Sequence, residues 1–226
     1  RIEKNKVTLC APTIRIITRG DTLGSINLTV VITSPAKGVI RVQTCHHAGM
    51  SAKSPAFELN TSEDNMSVTE TDELITITSG DLSLEITKLP WSMTYKHKGR
   101  VLSKSGRKDL ALMKTDWKGY AYDKGDYTDT YIRQQLSMLL YGFGERFTPF
   151  VKNGQSIDIF NQDGGTSTEQ SYKNIPFYVS NKGYGVFVNH PEKVSFEVGT
   201  EMVTKAEFSV EGSYLDYFFI DGPSMK

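Results

Sequence analysis

The sharpest candidate for chemistry in this sequence is Asp163, which two glycines follow within a segment rich in turn residues. Glycines at these positions can carry the aspartate to the tip of a loop and leave its carboxylate free. A carboxylate accepts hydrogen bonds from two vicinal hydroxyl groups, and the nearby aromatic ring of Phe160 offers a stacking surface for a sugar. The spacing alone favours an ordinary Asp-Gly turn over a ligand contact, and both interpretations stay open at this point.

A second candidate is the run Cys45, His46 and His47, which Cys10 could approach to complete a metal site. On a strand, Cys45 and His47 face one way and His46 faces the other, so the three side chains do not converge without a bend. The run also lacks the spacing of known metal-ligand motifs. The pattern therefore predicts ordinary strand residues and no metal, and it leaves open whether the two cysteines pair.

Two further motifs are weaker. Asp116 stands beside Trp117, as at some sugar sites, but no partner carboxylate is near in the sequence, which favours a solvated strand residue. The stretch from Tyr141 to Gly144 has a GxG pair without a following helix, a Lys-Ser/Thr step or a third glycine, which argues against a nucleotide site. Its glycines predict close approach of another backbone, and Glu145 and Arg146 are expected to form separate ion pairs at the entry to a loop.

The elements that must position these residues are β-strands. Apolar residues alternate with polar ones in most of the chain, as at Leu28, Val30 and Ile32, and a hairpin is predicted where 79–81 joins two alternating runs. Ten or more short strands without helical segments predict an all-β fold, a large antiparallel β-sandwich. The stretches 51–71 and 105–130 are expected to be exposed excursions, and 141–178 a long loop flanked by strands.

The total charge and the length of the apolar runs limit the kinds of binding partner that the sequence favours. The 226 residues carry 26 Lys+Arg and 26 Asp+Glu, so no global field favours nucleic acid or an anionic membrane, and no apolar run has the length of a spanning helix. We therefore expect no nucleic acid and no membrane partner. Glycosylation triplets begin at Asn27, Asn60 and Asn65 and hint weakly at secretion, so the sequence leaves the compartment open between cytoplasmic and secreted.

One long stretch resembles a known family. The sequence YGFGERFTPFVKNGQSIDIFNQDGGTSTEQSYKNIPFYVSNKGYGVFVNHPEKVSFEVG resembles the N-terminal domain of glycoside hydrolase family 31, and is closest to its α-xylosidase branch. The match is close from about Tyr141 to Pro223. The earlier stretch APTIRIITRGDTLGSINLTVVITSP is similar to the opening strands of such domains, whereas 46–130 matches weakly.

The resemblance implies a galactose-mutarotase-like β-sandwich that precedes a (β/α)8 barrel in the intact enzyme. It implies that 1–212 form the sandwich and that 213–226 form its last strand and the start of the connection. The catalytic aspartates of the family lie in the barrel, so no residue of this chain is assigned as nucleophile or acid, and Asp116 is not one despite its KTD setting. It further implies that a loop matching Asn161–Thr166 reaches over the barrel mouth, with Asp163 as the substrate-binding carboxylate.

From this resemblance we expect part of a retaining α-xylosidase that acts on α-xylosides of the xyloglucan type, inactive by itself and needing no cofactor. Its expected partners are the barrel and an α-xyloside or α-glucoside, and the sequence is compatible with a homo-oligomer. A free-standing carbohydrate-binding or structural module is the alternative. A mutarotase-type enzyme would need a catalytic His and Glu, and the chain's four histidines, His46, His47, His97 and His190, lie in no supporting motif.

Overall fold

The computed structural model describes residues 1–23, 25–46, 66–115, 129–137, 140–161, 173–222 and 224–225. Within these ranges the protein is built of β-strands and one 3-10 turn, Arg19–Thr22, and no described helix is long and apolar enough to cross a bilayer. The strands are β1 (Ile2–Glu3), β2 (Lys6–Pro12), β3 (Asn27–Ala36), β4 (Val39–Cys45), β5 (Ser67–Glu70), β6 (Leu74–Ser79), β7 (Leu82–Thr87), β8 (Ser92–His97), β9 (Arg100–Ser105), β10 (Leu110–Thr115), β11 (Asp129–Ser137), β12 (Leu140–Gly144), β13 (Gln155–Ile159), β14 (Asn174–Ser180), β15 (Tyr184–Val188), β16 (Val194–Val198), β17 (Lys205–Glu211) and β18 (Tyr214–Asp221).

The strands form one large and two small antiparallel sheets. The large sheet has eight strands in the order β1-β2-β3-β4-β18-β15-β14-β12, and the small sheets have the orders β5-β6-β7-β8-β9 and β10-β11-β17-β16-β13. Strand β18 lies in the middle of the large sheet, where Phe218 is opposite Arg41 of β4 on one side and Phe187 of β15 on the other. The first and last strands of the chain therefore belong to the same sheet.

Both small sheets pack on one face of the large sheet. Tyr217 and Phe219 of β18 lie on the same face of the sheet because they are two residues apart, and both are fully buried on this inner face. The Tyr217 hydroxyl lies 2.8 Å from that of Tyr95 in β8, while its ring meets Phe208 of β17 at 5.2 Å between centroids. Tyr95 also stacks on Phe219 at 3.9 Å. Because one residue of the large sheet contacts both small sheets, the molecule is a two-layer sandwich with a continuous core.

A buried polar contact joins the two small sheets. Gln134 of β11 donates from Nε2 to Ser105 Oγ of β9 at 2.6 Å, and both residues are fully buried. Close to them, Lys205 forms an ion pair with Asp109, which is 5% exposed. Buried polar groups are tolerated where they are hydrogen-bonded, so these contacts fix how the two small sheets meet.

The structure confirms the predicted antiparallel β-sandwich and the hairpin around 79–81, where Gly80 has a φ of +61° between β6 and β7. Two expected excursions were partly wrong. The end of 51–71 contains β5, and 105–130 contains β10 and the start of β11. The physical reason is burial, because Val68 in β5 and Leu110 and Leu112 in β10 pack against the core.

For 141–178 the predicted strands at both ends are confirmed by β12 and β14, but the prediction of turns throughout its middle was wrong. Its middle contains β13, which pairs with β16 and places Ile157 and Ile159 in the core at 3% and 5% exposure. The alternation of Ile157 and Ile159 with polar neighbours is a strand pattern, but it is short and lies between segments rich in glycine and asparagine. This strand supports one end of the candidate site.

Candidate functional site

The glycines of β12 allow two strands to approach closely. Gly142 and Gly144 have φ angles of +123° and +84°, and the register with β14 shifts between them. A Cβ built on Gly144 would lie 1.8 Å from the carbonyl oxygen of Lys173, so only glycine fits there. The shift turns Phe143 into the core, where its ring is 4.8 Å from Phe196. The predicted close backbone approach is confirmed.

A hydrogen-bonded clasp ties together the two ends of the segment 162–172. The Arg146 guanidinium donates to the carbonyl oxygen of Asp158 and, at 2.6 Å, to Asn174 Oδ1. Asn174 Nδ2 in turn donates to the Phe160 carbonyl oxygen at 3.2 Å and to Asn161 Oδ1 at 2.8 Å. Asp158, Phe160 and Asn161 precede the segment and Asn174 follows it, so both of its ends are held at a common base.

An exposed ion pair lies beside the clasp. Lys173 Nζ is 2.7 Å from Glu145 Oε1, and the two side chains are 67% and 70% exposed. The expected ion pair of Glu145 at the loop entry is confirmed. For Arg146 the described contacts are to a carbonyl and an amide oxygen, so its role at the entry is broader than the single ion pair that was expected. Exposed ion pairs contribute little stability, so the charge-assisted hydrogen bonds of Arg146 and Asn174 hold the two ends of the segment more strongly.

The base carries a second, buried cation. Lys152 is 4% exposed, and its Nζ donates to Thr148 Oγ1 at 2.9 Å and to the Pro149 carbonyl oxygen at 2.8 Å. Burial lowers the pKa of the Lys152 ammonium, and the nearby positive charge of Arg146 lowers this pKa further. Two cations close to each other create a positive local potential, which favours a carboxylate or the lone pairs of a polar ligand nearby.

Three aromatic side chains on the same stretch face solvent. Phe147, Phe150 and Phe160 are 79%, 78% and 44% exposed, and the Phe150 ring lies 5.3 Å from that of Tyr141. Contiguous exposed aromatic surface, such as that of Phe150 with Tyr141, marks an interaction surface more often than a single exposed residue does. The base of the 162–172 segment thus combines polar anchoring, positive charge and apolar surface.

Several residues singled out from the sequence lie outside the described ranges. They are Asp163 and the rest of Gln162–Thr166, Asp116 with Trp117, His47, Asn60 and Asn65. Asn27 lies in β3, where its side-chain amide contacts Cys10 Sγ at 3.1 Å. The role of Asp163 therefore stays a prediction, and what the structure contributes is the base formed by described residues before and after 162–172.

The cysteines are separate in the sheet. Cys10 in β2 and Cys45 in β4 both lie opposite Thr29 of β3, so they are two strands, or about 10 Å, apart. This exceeds the Cα separation that a disulfide allows, and both thiols are free. Burial raises the pKa of the Cys45 thiol. Among the described residues, no group of three or more His, Cys, Asp or Glu side chains could hold a metal ion.

His190 has both ring nitrogens engaged within the fold. Its Nε2 accepts the backbone N–H of Asp216 at 3.0 Å, which assigns the ring proton to Nδ1, 3.1 Å from Glu192 Oε2. Burial lowers the pKa of His190, against the opposing effect of Glu192, so the ring is held neutral. His97 is likewise bound to Asp221 at 2.7 Å. These two histidines therefore have hydrogen-bonding partners within the fold.

Sequence reasoning missed a polar network on the outer side of the large sheet. Arg41 binds both carboxylate oxygens of Asp216, at 2.9 and 2.6 Å, and Asn189 Nδ2 donates to the same carboxylate at 2.8 Å. The Arg41 guanidinium lies over the Phe218 ring at 5.1 Å. Because Arg41 and Asp216 are 175 residues apart, no local pattern could reveal the pair.

Comparison with known proteins decides the family. The model of the glycosyl hydrolase 31 N-terminal galactose mutarotase-like domain matches residues 29–197, which is most of the chain. The chain belongs to this family. The resemblance stated from the sequence and the galactose-mutarotase-like sandwich are thereby confirmed, with β4 to β15 inside the matched range.

Two curated relatives of this family 31 domain are α-xylosidases. XylQ of Lactiplantibacillus pentosus is 41% identical over 97% of the chain, and an α-xylosidase of Emericella nidulans is 42% identical over 92%. The chain spans 28% and 29% of their respective lengths. The resemblance to the α-xylosidase branch is therefore confirmed, over less than a third of each relative.

Solved structures support the fold. A family 31 α-xylosidase from a soil metagenome, solved with xylose, superposes with a TM-score of 0.71 at 12% identity over 99% of this chain and 32% of its own. The cycloalternan-forming enzyme of Listeria monocytogenes gives a TM-score of 0.71 at 19% identity over 96% of this chain and 21% of its own. At these identities the likeness concerns the architecture alone.

Proposed function

We propose that this family 31 domain belongs to a retaining α-xylosidase that hydrolyses α-xylosides of the xyloglucan type. In this proposal the sandwich supports a (β/α)8 catalytic barrel and lends the loop around Asp163 to the substrate pocket. The supporting observation is the 41% identity to an α-xylosidase over 97% of the chain. The division into a sandwich at 1–212 and a last strand with connection at 213–226 is part of the same proposal.

The proposed division of labour follows from the chemistry of the reaction. Retaining hydrolysis needs one carboxylate as nucleophile and a second carboxyl group as acid and base, on opposite sides of the scissile bond. In the proposal both come from the barrel, at the carboxyl ends of its strands. The chain contributes binding surface, and a side chain that binds only the substrate changes the specificity constant without performing a chemical step.

The direct test compares the chain alone with the intact enzyme on aryl α-xylosides and, in parallel, on aryl α-glucosides. We expect turnover of the xyloside by the intact enzyme and none by residues 1–226. Hydrolysis by the chain alone would refute the division of labour, and a preference for the glucoside would refute the xylosidase assignment. Titration of the chain with xylose and xyloglucan oligosaccharides tests the binding-module alternative, which requires saturable binding without the barrel.

Asp163 is the residue that we propose for substrate contact, through hydrogen bonds to sugar hydroxyls. The clasp of Arg146 and Asn174 supports this role because it fixes both ends of the segment that contains Asp163. The positive charges of Arg146 and Lys152 support it as well, since they favour an ionised carboxylate nearby. Phe160, 44% exposed at the edge of the segment, adds apolar surface that suits a sugar ring.

Asp163→Ala in the intact enzyme should lower kcat/KM about 10- to 100-fold, because a hydrogen bond to a charged group contributes about 1.5–3 kcal/mol. Steady-state kinetics on the aryl α-xyloside measures this loss. Asp158→Ala is the matched control, because Asp158 is an aspartate five residues before Asp163 whose carboxylate contacts Ser195 and Lys193 within the domain, at 2.7 and 2.6 Å. This variant should leave kcat/KM nearly unchanged. Equal kinetics for Asp163→Ala and the unmodified enzyme would contradict a substrate contact and favour the ordinary Asp-Gly turn.

A further inference from the structure

The outer surfaces of the two layers differ in composition. On the sheet β5 to β9, outward residues include Thr76, Glu85 and Lys96, and the last two form an ion pair at 2.5 Å. On the other small sheet, Ser195 and Glu197 of β16 face outward. Polar outward residues are usual for an antiparallel sheet that has one face in water.

The large sheet departs from this rule over four neighbouring strands. The outer aromatic patch consists of six residues from β12, β14, β15, β18 and the turn after β12: Tyr141, Phe150, Phe177, Val179, Phe187 and Phe218. Phe177 is opposite Phe187, which is opposite Phe218 with its ring at 5.9 Å, while Tyr141 is opposite Val179. The patch is therefore continuous across strands that together span roughly 15 Å.

The sequences of β15 and β18 explain why both faces of the sheet are apolar. YGVFV and YLDYFFID are nearly continuous hydrophobic runs, which is the pattern of strands covered on both sides. Gly185 adds a local feature, because a Cβ there would lie 2.7 Å from the Phe177 ring. The missing side chain therefore leaves room for the Phe177 ring over Gly185.

The charge on this surface indicates what kind of partner fits it. Arg41 and Asp216 beside the patch neutralise each other, and the guanidinium covers Phe218. This pair therefore adds no net charge at the Phe218 end of the patch. Phe150 remains 78% exposed, and Ile175 at the edge of the patch is 48% exposed. A large apolar protein surface matches these properties.

We propose that the outer aromatic patch is the docking surface for the polypeptide that follows this domain in the intact enzyme. This inference rests on the proposed function, because it takes the larger part of the enzyme as the occupant. The family is described as an N-terminal domain, and the chain spans only 28% of the L. pentosus relative, so a large tethered partner follows the domain in such enzymes. Because such a partner is tethered, docking is intramolecular and needs less buried area than the association of separate chains.

Hydroxyl-radical footprinting of the intact enzyme tests the docking surface without relying on turnover. Phe150 should be modified several-fold more slowly than its 78% exposure within the domain requires. Leu89, 90% exposed in the connection between β7 and β8, is the internal control and should react at the rate of a free side chain. Phe150 reacting as fast as Leu89, after correction for intrinsic reactivity, overturns the proposal.

Other occupants give different results. Protection of Phe150 that disappears when a dimer is diluted to monomer, as followed by light scattering, would identify a second copy and overturn the proposal. Protection that appears only with a xyloglucan oligosaccharide would identify sugar and overturn it as well. An enzyme that hydrolyses α-xylosides while Phe150 stays reactive refutes only the docking surface, and a protected but inactive enzyme refutes only the proposed activity.

A substitution provides the independent arm. Phe150→Glu places a charge in the patch at a position that is 78% exposed within the domain, and it should lower the Tm of the intact enzyme. Leu89→Glu, at a position that is 90% exposed outside the patch, should leave the Tm nearly unchanged. If the patch faces water in the intact enzyme, both variants have equal, small effects, and that result also overturns the docking surface.

Discussion

Gly144→Ala should destabilise the sandwich by at least about 3 kcal/mol, the sum of left-handed backbone strain and a steric clash. The added Cβ would lie 1.8 Å from the Lys173 carbonyl oxygen, which belongs to the backbone and cannot rotate away. Relief of the clash requires β12 and β14 to separate at the point where both ends of the 162–172 segment are anchored. In the intact enzyme we therefore expect a loss of kcat/KM in addition to the loss of stability.

Gly99→Ala separates the two contributions. Gly99 has the same φ of +84°, but no atom lies within 4 Å of a Cβ built there. This control should lose only the backbone contribution, about 1–2 kcal/mol. Urea unfolding gives the free energy of unfolding of both variants, and the two values can be compared directly when the m-values are equal. Equal losses in the two variants would mean that β12 and β14 are not held as closely as the structure shows.

Asp216→Ala should cost about 3–5 kcal/mol, because it leaves a partly buried cation without its counter-charge. The Asp216 carboxylate is almost fully buried and binds both Arg41 and Asn189. After its removal, the Arg41 guanidinium, 22% exposed, would stay above the Phe218 ring without its carboxylate partner. Chemical denaturation followed by tryptophan fluorescence and by circular dichroism should give coincident transitions, both shifted to lower denaturant.

Glu85→Ala is the matched control for this prediction. Glu85 and Lys96 form an equally short ion pair, at 2.5 Å, but both side chains are more accessible to water than Asp216, at 29% and 23% exposure. Such pairs contribute at most about 1 kcal/mol, so the control should unfold close to the unmodified protein. A loss below about 1 kcal/mol for Asp216→Ala as well would show that water or another group replaces the carboxylate.

Local patterns were sufficient to predict much of the fold. The alternation at Leu28, Val30 and Ile32 predicts an inward face, and these residues are in the buried set at 3%, 0% and 0% exposure. The glycines of β12 correctly indicated a close backbone approach, because a left-handed φ and the lack of a side chain are properties of the residue itself. Strand β13 escaped prediction because its five residues lie between longer runs of turn-forming residues.

The candidate site shows the opposite limit. A carboxylate between turn residues, Asp163, can be found in a sequence by its neighbours. Arg146 and Asn174 could not be paired in this way, because they are 28 residues apart and β13 lies between them. The insertion of β18 between β4 and β15 is equally non-local, and with it the apolar outer patch, since the faces of a strand are defined only by the sheet in which it lies.

The central place of β18 also affects how the protein is made. Arg41 of β4 pairs with Asp216 of β18, which is 175 residues further along the chain. The ribosome therefore needs about 9–35 s after Arg41 to synthesise its partner. During that time β4 and, later, β15 each expose an unpaired apolar edge, and such edges are prone to associate with other chains. The nascent domain should therefore depend on ribosome-associated chaperones until β18 has emerged and joined the two halves of the large sheet.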